Sequence, residues 1–537
     1  MTFLRVYFRI FFILLVLIFI ISSCARRGRP EGGPKDESKP IMVKTDPAFK
    51  SIHFDKDEIR IYFDEFIKLK DITSQLIVSP PLKYPPVISP QGTPSKRITI
   101  KIKDTLQENT TYTFNFGQSI IDNTEGNVLD NFKYIFSTGD YIDSLEVSGT
   151  IKDAFDFKMI ENPTLMLYPI VENFNDSIIY NEKPMYVGST LDSVNWNISN
   201  IKAGKYLLVA LNDNSKNYKF NPKEDKIGFH STYISVPTDS TYNISLFDEI
   251  LPFNLPTKPK EVAKGHMIFG YEGDASNFKV KPLSETADEF KSIITFDQQK
   301  DTLHYWFKNY EKDSILMTTI KNRVLDTVKI KLRAEEIDSL KIGASTKGTL
   351  HLRDTLKIAS SVPMIKVDTA KIYFMDKDSV QVPYQLVFSK NKNRLIFDFE
   401  KKEKNKYKLT LFPGAITDFY GVQNDTLNVN FTTKTTTNYS SLFLKINNIK
   451  SYPIIIHLIN EKGKVVEKKY ADKAREYQFE NLLPSRYKVR IIYDTNKNKK
   501  WDTGNFLLKQ QPEEVYYFKN IINIKANWEM TEIFTVD

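Results

Sequence analysis

Cysteine is almost absent from this sequence, since Cys24 is the only one among 537 residues. A single cysteine cannot form an intrachain disulfide, so stability must come from hydrophobic cores. Zinc sites built from cysteine and iron–sulfur clusters need several thiolates. The sequence therefore excludes both kinds of site.

Histidine is scarce too, and the recognisable catalytic motifs are missing. The six histidines occur singly, without the spacing of metal-binding pairs: His53, His230, His266, His304, His351 and His457. The sequence also lacks the P-loop, the dinucleotide fingerprint and the Gly-x-Ser-x-Gly motif. We therefore expect no enzyme and no cofactor, and each histidine is interpreted as a surface or strand residue. A hydrolase whose residues converge only in the fold is the third alternative.

The first two dozen residues indicate export. Arg5 and Arg9 precede an unbroken apolar run from Ile10 to Ile21, which is followed by Ser22, Ser23 and Cys24. The run is shorter than the roughly 20 residues of a membrane-spanning helix and is typical of a secretory signal peptide. Small residues before a solitary cysteine resemble the lipobox of bacterial lipoproteins. That resemblance implies cleavage after residue 23 and a lipid on Cys24, which anchors the chain in the bilayer and leaves no thiol for catalysis.

The charge is nearly balanced, with 75 basic and 66 acidic residues and a formal net charge of +9. Cleavage of the signal peptide would remove two of the positive charges, Arg5 and Arg9. A mixed, solvated surface follows, and export argues against a nucleic-acid partner. Residues 24–42 are rich in Gly, Pro and charge and predict a flexible tether. Lysine-rich segments are interpreted as hairpin tips: Lys401, Lys402, Lys404, Lys406, Lys408, Lys497, Lys499 and Lys500.

Most of the remaining chain alternates apolar and polar residues in short runs separated by Asn, Asp, Gly and Pro. Clear examples are residues 59–63, 98–102 and 394–399. This period of two predicts half-buried antiparallel strands. Helical candidates are few and short, such as Ser284 to Ile293. The predicted fold class is all-β, a string of tandem antiparallel β-sandwiches.

One family pattern covers about a hundred residues, from Lys44 to Thr138. Its parts are an early strand that runs into Asp64-Glu65, Tyr112-Thr113-Phe114, the turn Asp122 to Gly126, and a closing Phe136-Ser137-Thr138. This pattern resembles the bacterial Ig-like domain of the S-layer-protein type. A looser copy spans residues 356–433, with Ile372-Tyr373-Phe374 taken as the early strand and Met375 in place of the acidic residue.

A second pair of segments aligns without a gap at an offset of 281. Residues 201–206, Asp213 and Phe220 correspond to residues 482–487, Asp494 and Trp501. Both segments resemble the transthyretin-like or collagen-adhesin-type sandwich, whose central strand follows a Gly-x-Tyr-like turn. That resemblance implies rigid spacer domains.

One loop has the oxygen spacing of a calcium site. Its candidate ligands are Asp494, Asn496, Asn498 and Asp502, at positions that suit a hard cation. Lys499 stands where an EF-hand needs glycine, Asn505 stands where the bidentate Glu belongs, and the nearby lysines repel a divalent ion. An Asx-rich turn is the favoured interpretation. The equivalent loop, with Asp213, Ser215, Asn217 and Asn221, is weaker still.

Two further sets of residues invite functional interpretations. Asp64-Glu65 with Asp122 suggests a carboxylate pair for acid–base chemistry, but turn carboxylates more often bind backbone N–H groups. The aromatic side chains of Tyr305, Trp306, Phe307 and Trp501 could stack on sugar rings, but packing in a core or across strands is the commoner use.

These observations predict the following division of the chain: a signal peptide (1–23), a tether (24–42), an Ig-like domain (43–140), a transthyretin-like sandwich (141–255), a β-rich domain of unknown family (260–345), a degenerate Ig-like domain (346–436) and a second transthyretin-like sandwich (437–537). The whole resembles outer-membrane lipoproteins of the Bacteroidota. We expect a non-catalytic structural or interaction module of the cell envelope, with the bilayer as its partner through Cys24. Envelope proteins or polysaccharide would be further partners. The alternative is a glycan- or polypeptide-binding protein.

The residues after Cys24 bear on the membrane face. Surface-exposed lipoproteins of the Bacteroidota usually carry acidic residues next to the cysteine, whereas here Arg26, Arg27 and Arg29 follow it. This difference favours the periplasmic face of the outer membrane over the cell surface.

Overall fold

The protein is all-β. The computed structural model describes residues 36–156, 159–190, 194–297, 299–321, 324–346 and 348–536. The described residues form two compact units, one within residues 36–144 with 200–202 and the other within residues 145–199 and 203–536. The predicted signal peptide, Cys24 and most of the predicted tether lie outside the described residues.

The first unit has two antiparallel sheets, ordered β1-β2-β5-β4 and β3-β6-β8, with β7 paired to β2. Its elements are β1 (Met42–Asp46), β2 (Glu58–Leu69), α1 (Ile72–Gln75), β3 (Ile77–Ser79), β4 (Val87–Ser89), β5 (Ser95–Lys101), β6 (Thr111–Asn115), β7 (Ile120–Asp122) and β8 (Lys133–Ser137). The alternation in β2 directs Ile59, Ile61 and Phe63 into one core with Phe114 and Phe136. Burial of such side chains contributes about 1.5–3 kcal/mol each, which holds the two sheets together.

The second unit begins with eight strands and a short helix, which we call the first repeat: β9 (Leu145–Asp153), β10 (Thr164–Pro169), α2 (Ile178–Asn181), β11 (Tyr186–Thr190), β12 (Asn195–Ile201), β13 (Gly204–Asn212), β14 (Lys226–Phe229), β15 (Ile234–Val236) and β16 (Thr241–Leu246). The sheet order is β14-β13-β10-β11-β12-β9-β16, with β15 paired to β13. All pairs given for these strands are antiparallel except β9 with β16, which is parallel.

Two sheets follow, ordered β17-β18-β21-β20 and β19-β22-β23. Their strands are β17 (Lys260–Ala263), β18 (His266–Gly270), β19 (Lys279–Pro282), β20 (Lys291–Asp297), β21 (Thr302–Lys308), β22 (Ser314–Lys321) and β23 (Val324–Lys331). The helix predicted for Ser284 to Ile293 is wrong, because its last three residues open β20 and the residues before them contain no helix. The β-branched residues Ile293, Ile294 and Thr295 favour a strand there.

The next strands repeat the pairing of the first unit. They are β24 (Ile342–Ala344), β25 (Gly348–Thr349), β26 (Leu356–Ser360), β27 (Met364–Val367), β28 (Ile372–Met375), β29 (Gln385–Phe388), β30 (Arg394–Asp398), β31 (Lys406–Leu411), β32 (Ile416–Asp418) and β33 (Leu427–Thr432), with a 3-10 turn at Thr369–Lys371. The orders β24-β26-β30-β29 and β28-β31-β33 match β1-β2-β5-β4 and β3-β6-β8, and β27 pairs with β32 as β2 pairs with β7. The copy has one additional strand, β25, which pairs in parallel with β33. We call these strands the Ig-like copy.

This pairing corrects the sequence alignment of the Ig-like copy. The strand at Ile372–Met375 occupies the place of β3 and not that of Ile59 to Phe63, whose counterpart is β26. Alternating apolar residues look alike in both strands, so only the pairing partner distinguishes them. The acidic residues of the first unit therefore correspond to the segment after Ser360 and not to Met375.

The last eight strands, which we call the second repeat, correspond one for one to the first repeat. They are β34 (Ser440–Asn447), β35 (Ile454–Asn460), β36 (Val465–Ala471), β37 (Tyr477–Leu482), β38 (Ser485–Tyr493), β39 (Val515–Tyr517), β40 (Ile522–Ile524) and β41 (Glu529–Thr535), after a 3-10 turn at Thr436–Asn438. The sheets are β36-β35-β38-β39, with β40 on β38, and β37-β34-β41. The parallel pair β34–β41 corresponds to β9–β16. The offset repeat seen in the sequence is thus a repeat of strand pairing.

Candidate functional site

A polar face of the sheet β17-β18-β21-β20 carries the candidate site. His266 lies opposite Trp306, and Thr295 lies opposite His304, in the antiparallel register. Side chains alternate between the faces of a strand, so these four residues share one face. The other face carries Met267, Phe269, Leu303, Tyr305 and Phe307, which belong to the hydrophobic core. This core burial leaves the histidine face as the functional side of the sheet.

Three side chains on and beside this face form a hydrogen-bonded chain. Nδ1 of His266 lies 2.5 Å from Oδ2 of Asp338, and Nε2 of His266 lies 2.8 Å from Nδ1 of His304. The His266 ring also stacks on Trp306, with the ring centroids 3.6 Å apart and the planes 11° from parallel. Trp306 in turn donates its indole N–H to Oγ1 of Thr295 at 3.1 Å. Every polar ring atom of His266 is thus engaged, and its orientation is fixed.

The chain determines where the ring protons lie. Burial lowers the pKa of His266, although Asp338 opposes the shift, and burial also lowers the pKa of His304. Both rings are therefore neutral at pH 7, and each has one N–H and one acceptor nitrogen. An ionised carboxylate can only accept, so His266 donates from Nδ1 to Asp338 and accepts at Nε2 from Nδ1–H of His304. Nε2 of His304 then carries a lone pair and no proton.

His304 lines a cleft of about 1070 Å³. Three carboxylates, two basic side chains, four amides and aromatic rings surround it: Asp274, Asp297, Asp301, Lys390, Arg394, Asn277, Gln299, Asn391, Asn393, Tyr271, Phe278 and Phe296. Asp274 is bound to Ser276 and Lys321, and Asp297 accepts from the backbone of Gln299. No side-chain hydrogen bond or ion pair within the described part of the chain engages the Asp301 carboxylate. Asp301 and Nε2 of His304 are therefore open acceptors.

The Ig-like copy forms the second wall of the cleft. Val362 and Phe419 pack on Trp306, and Lys308 donates from Nζ to the carbonyl of Phe419 at 2.7 Å. The hydroxyl of Tyr420 donates to the carbonyl of Gly265 at 2.9 Å. Gly265 has a φ of +74°, and a Cβ there would lie 2.3 Å from the Phe307 carbonyl oxygen, so only glycine fits. These contacts fix the two walls relative to each other.

Asn391 of the Ig-like copy caps the edge of the sheet. Its amide oxygen accepts from the backbone N–H of Phe296 at 3.3 Å, and its Nδ2 donates to the carbonyl of Phe296 at 2.5 Å. A neighbouring strand would use the same two backbone groups. The edge strand β20 is therefore closed to strand addition at this point.

The arrangement around His304 is a hydrogen-bond acceptor site. Within the described ranges, no hydroxyl or thiol is hydrogen-bonded to His304, and no group of three or more His, Cys, Asp or Glu is arranged to hold a metal ion. What the geometry provides is a neutral, oriented hydrogen-bond acceptor at the cleft, held by buried His266 and the half-buried carboxylate of Asp338.

Sequence reasoning missed this site and interpreted its histidines as isolated. His266 and His304 are 38 residues apart, and Asp338 is 72 residues from His266. A signal did exist, because His266 and the pair His304 and Trp306 occupy the polar positions of alternating strands. Nothing in one sequence, however, shows that these strands are neighbours.

The predicted aromatic platform is not formed on this sheet. Tyr305, Trp306 and Phe307 are only 1–4% exposed. One face of Trp306 is covered by His266, and Val362 and Phe419 also pack on this side chain. Trp501 packs on Phe155 with 4.5 Å between the ring centroids. Core packing, the commoner alternative, is the interpretation that the structure supports.

The predicted calcium ligands lie in a turn that bonds to itself. Asp494 accepts from the backbone N–H groups of Asn498 and Lys499 at 3.0 and 2.9 Å. The amides of Asn496 and Asn498 both donate to Oδ2 of Asp502. Lys497 and Lys499 have φ values of 62° and 66°. This is the geometry of an Asx-rich turn, and calcium binding there stays a low-ranked prediction.

The equivalent turn of the first repeat is built the same way. Asp213 accepts from the backbone N–H groups of Asn217 and Tyr218, at 3.3 and 2.7 Å. Asp225 accepts from Asn214 and Asn221, as Glu513 accepts from Thr495 and Asp502 in the second repeat. Glu513 lies further along the chain from Asp494 than Asp225 lies from Asp213, so the loop of the second repeat contains an insertion.

That insertion docks into the first repeat. Phe506 is fully buried in the core of the first repeat, with its ring 5.2 Å from that of Phe229. Thr503 donates to the carbonyl of Asp248 at 2.6 Å, and Gln511 donates to the carbonyl of Phe229 at 2.9 Å. The Lys509 ammonium lies 2.8 Å from Asp176. The two repeats are therefore interlocked.

A buried His–Arg pair completes this interface. Arg490 donates from Nη2 to Nδ1 of His457 at 3.0 Å and lies over the Phe155 ring, 3.8 Å from its centroid. Nη1 of Arg490 bonds to the Phe155 carbonyl and to the Tyr517 hydroxyl. Burial, together with Arg490 and Lys468, lowers the pKa of His457 to about 4. His457 is thus kept neutral.

The carboxylates of the first unit serve turns. Asp122 accepts four backbone N–H bonds, from Thr124, Glu125, Gly126 and Asn127. Burial raises the pKa of Asp122, but the four backbone donors together lower it by more, so the net shift of the pKa is downward. Asp64 accepts from the backbone of Ile41 at 2.8 Å. The turn interpretation of Asp122 therefore matches the structure, and these groups are used for local architecture.

The lysine clusters divide between turns and strands. Lys401, Lys402 and Lys404 lie in the connection between β30 and β31, but Lys406 and Lys408 lie within β31, so the hairpin-tip prediction is wrong for these two. Lys497, Lys499 and Lys500 lie in the loop after β38. The alternating partners Tyr407 and Leu409 face the core, so the two strand lysines point to solvent.

Comparison with known proteins identifies a family for one part of the chain. Residues 36–138 match the family model described as "Bacterial Ig-like domain", which is about a fifth of the chain. A search of curated proteins finds no match. The family match agrees with the Ig-like resemblance of the first unit.

Several solved structures are similar to this chain at low sequence identity. The crystal structure of the S-layer protein rSbsC(31-844) is 10% identical and covers 92% of this chain and 68% of its own, with a TM-score of 0.14. Domains A168–A170 of titin are 11% identical and cover 45% of this chain and 92% of their own, with a TM-score of 0.14. The titin I9–I11 tandem is 11% identical and covers 53% of this chain and 100% of its own, with a TM-score of 0.12.

Proposed function

We propose that this chain is a membrane-anchored, non-catalytic structural or interaction module of the cell envelope. The single observation that carries the proposal is the interlocking of the two repeats. Phe506 of the second repeat completes the core of the first, so strands far apart in sequence form one connected body. Such a body resists bending better than separate sandwiches on linkers do. The match to a bacterial Ig-like domain supports the same role.

The anchor would be a lipid on Cys24. The apolar run and the small residues before Cys24 support it. Within the described part of the chain, no helix has the length and hydropathy needed for a membrane span. Arg26, Arg27 and Arg29 after the cysteine favour the periplasmic face of the outer membrane. The resemblance to Bacteroidota lipoproteins supports this location.

Metabolic labelling with a fatty-acid analogue tests the anchor. We expect the native chain to label and to fractionate with membranes, and Cys24→Ala to do neither. Cys24→Ala that still labels would disprove the anchor. Protease treatment of intact cells tests the face, because rapid loss of the protein would place it on the cell surface.

A further inference from the structure

The cleft beside His304 has no role in the structural function, and its chemistry points to a ligand. The cleft holds about 1070 Å³, slightly above the roughly 300–1,000 Å³ usual for ligand sites. Its walls come from two sandwiches that are held rigidly by Lys308, Tyr420 and Asn391. A preformed site of this kind loses little entropy when it binds.

The polar groups in the cleft are mixed. Three carboxylates, two cationic side chains and several amides line it together with aromatic rings. A ligand with hydroxyl groups satisfies such a mixture, because each hydroxyl both donates and accepts. A ligand with only one kind of polar group would leave part of the lining unpaired, which is costly.

The charged and unpaired groups of the cleft determine which ligand charge is favoured. Asp301 and Nε2 of His304 both need a donor, and because Asp274 is paired with Lys321, the charges of Asp297 and Asp301 are balanced by those of Lys390 and Arg394. An anionic group of a ligand would meet repulsion from Asp297 and Asp301 and has no proton to donate to His304. Donors without negative charge are therefore favoured.

A polypeptide is a poorer fit. Extended peptides bind mainly by adding a strand to a free edge, and in this cleft the edge at Phe296 is already capped by Asn391. We infer that the cleft between the histidine sheet and the Ig-like copy binds a neutral, hydroxyl-rich glycan, with Nε2 of His304 accepting a hydrogen bond from a sugar hydroxyl.

Calorimetric titration of the full chain in detergent tests this inference. Maltohexaose, laminarihexaose and N-acetylchitohexaose serve as neutral probes, and hexagalacturonate serves as the anionic counterpart. We expect at least one neutral probe to bind with a Kd below millimolar, and hexagalacturonate to bind at least tenfold more weakly.

Three variants locate the binding. His304→Ala should raise the Kd of the neutral probe that binds by about tenfold or more. Asp301→Asn should weaken it less; asparagine tolerates the φ of 44° at this exposed position, so this variant keeps the test valid if His304→Ala misfolds. His230→Ala, a histidine remote from the cleft lining, is the matched control and should leave the Kd unchanged.

Several outcomes would overturn the inference. These are no binding of any neutral probe, preference for hexagalacturonate, or equal affinity in the His304 and Asp301 variants and the native chain. Saturable binding of reduced, carboxymethylated lactalbumin that His304→Ala abolishes would show a polypeptide site instead. None of these results bears on the anchor at Cys24, which is tested by labelling.

Discussion

The first and second repeats share eight strands and all of their pairing except that of β11 with β12, which joins the sheets of the first repeat. Their equivalent sheet faces are nevertheless completed differently. In the first repeat Met166 lies opposite Val209, and both are fully buried in an apolar core. In the second repeat the same register positions hold His457 and Arg490. The first repeat packs Phe506 of the second repeat into its core, whereas the second repeat packs Phe155 of the first repeat against its sheet. The difference teaches that the repeats have specialised as two halves of one interface.

Phe506→Ala should be the largest single perturbation of this interface. The ring is fully buried in the core of the first repeat, and its loss should reduce the unfolding free energy of the second unit by about 3–5 kcal/mol. Urea unfolding of the full chain, followed by tryptophan fluorescence, measures the change.

Leu508→Ala is the matched control, because Leu508 lies in the same insertion and is 74% exposed. It should change the unfolding free energy by less than about 0.5 kcal/mol. Equal effects of the two variants would show that the insertion is not a docking element.

The His–Arg pair should make the second repeat acid-sensitive. The pKa of His457 is lowered to about 4, so between pH 6.5 and 4 the unfolded chain binds a proton that the folded chain does not. Stability is complete above pH 6.5 and falls through this window, by at most about 3 kcal/mol.

His457→Met copies the residue of the first repeat and should remove much of this pH dependence. Melting temperatures of the native chain and the variant at pH 7 and pH 5 make the comparison. The same decline with pH in both proteins would contradict the assignment to His457.

The two Asx turns give a smaller contrast. Asp494 is 1% exposed and braces two backbone N–H groups, and its replacement by Ala should cost about 1–3 kcal/mol. Asp213 is more exposed and has one long bond of 3.3 Å, so Asp213→Ala should cost less. Thermal melts of the two variants rank them, and a larger loss for Asp213→Ala would reverse this order.

Calcium should have the smallest effect. Lys497, Lys499 and Lys500 oppose a divalent ion, and Asn496, Asn498 and Asp502 are already bonded to one another. Melts of the full chain with millimolar calcium and with chelator should therefore coincide. A rise of several degrees that vanishes in Asp494→Ala would show a metal-braced turn, because a ligand at a hundred times its Kd stabilises by about 2.7 kcal/mol.

Much of the architecture could be predicted from the sequence, because strand alternation and turn residues are local signals. The alternation at Ile59 to Phe63 and the offset of 281 both correspond to features of the fold. The helix near Ser284 was predicted wrongly, because Ala287, Phe290 and Ile293 are too few apolar residues to distinguish a helical period from the start of a strand.

The site could not be predicted in the same way. Its chain of Asp338, His266 and His304 depends on which strands become neighbours, and its second wall comes from the Ig-like copy. The docking of Phe506 is equally non-local, because its contact with Phe229 joins residues of different repeats. Pairings of this kind are set by the fold and leave no periodic signal in the chain.

The most direct test of the account is the protonation state of the His304 ring. Nitrogen NMR of the full chain with labelled histidine, assigned by the His304→Ala spectrum, reports each ring nitrogen at pH 7. We predict a protonated Nδ1 and an unprotonated Nε2 in His304, together with a neutral His457 in the same spectrum. A protonated Nε2 in His304 would contradict the hydrogen-bonded chain from Asp338 and, with it, the acceptor role of the cleft.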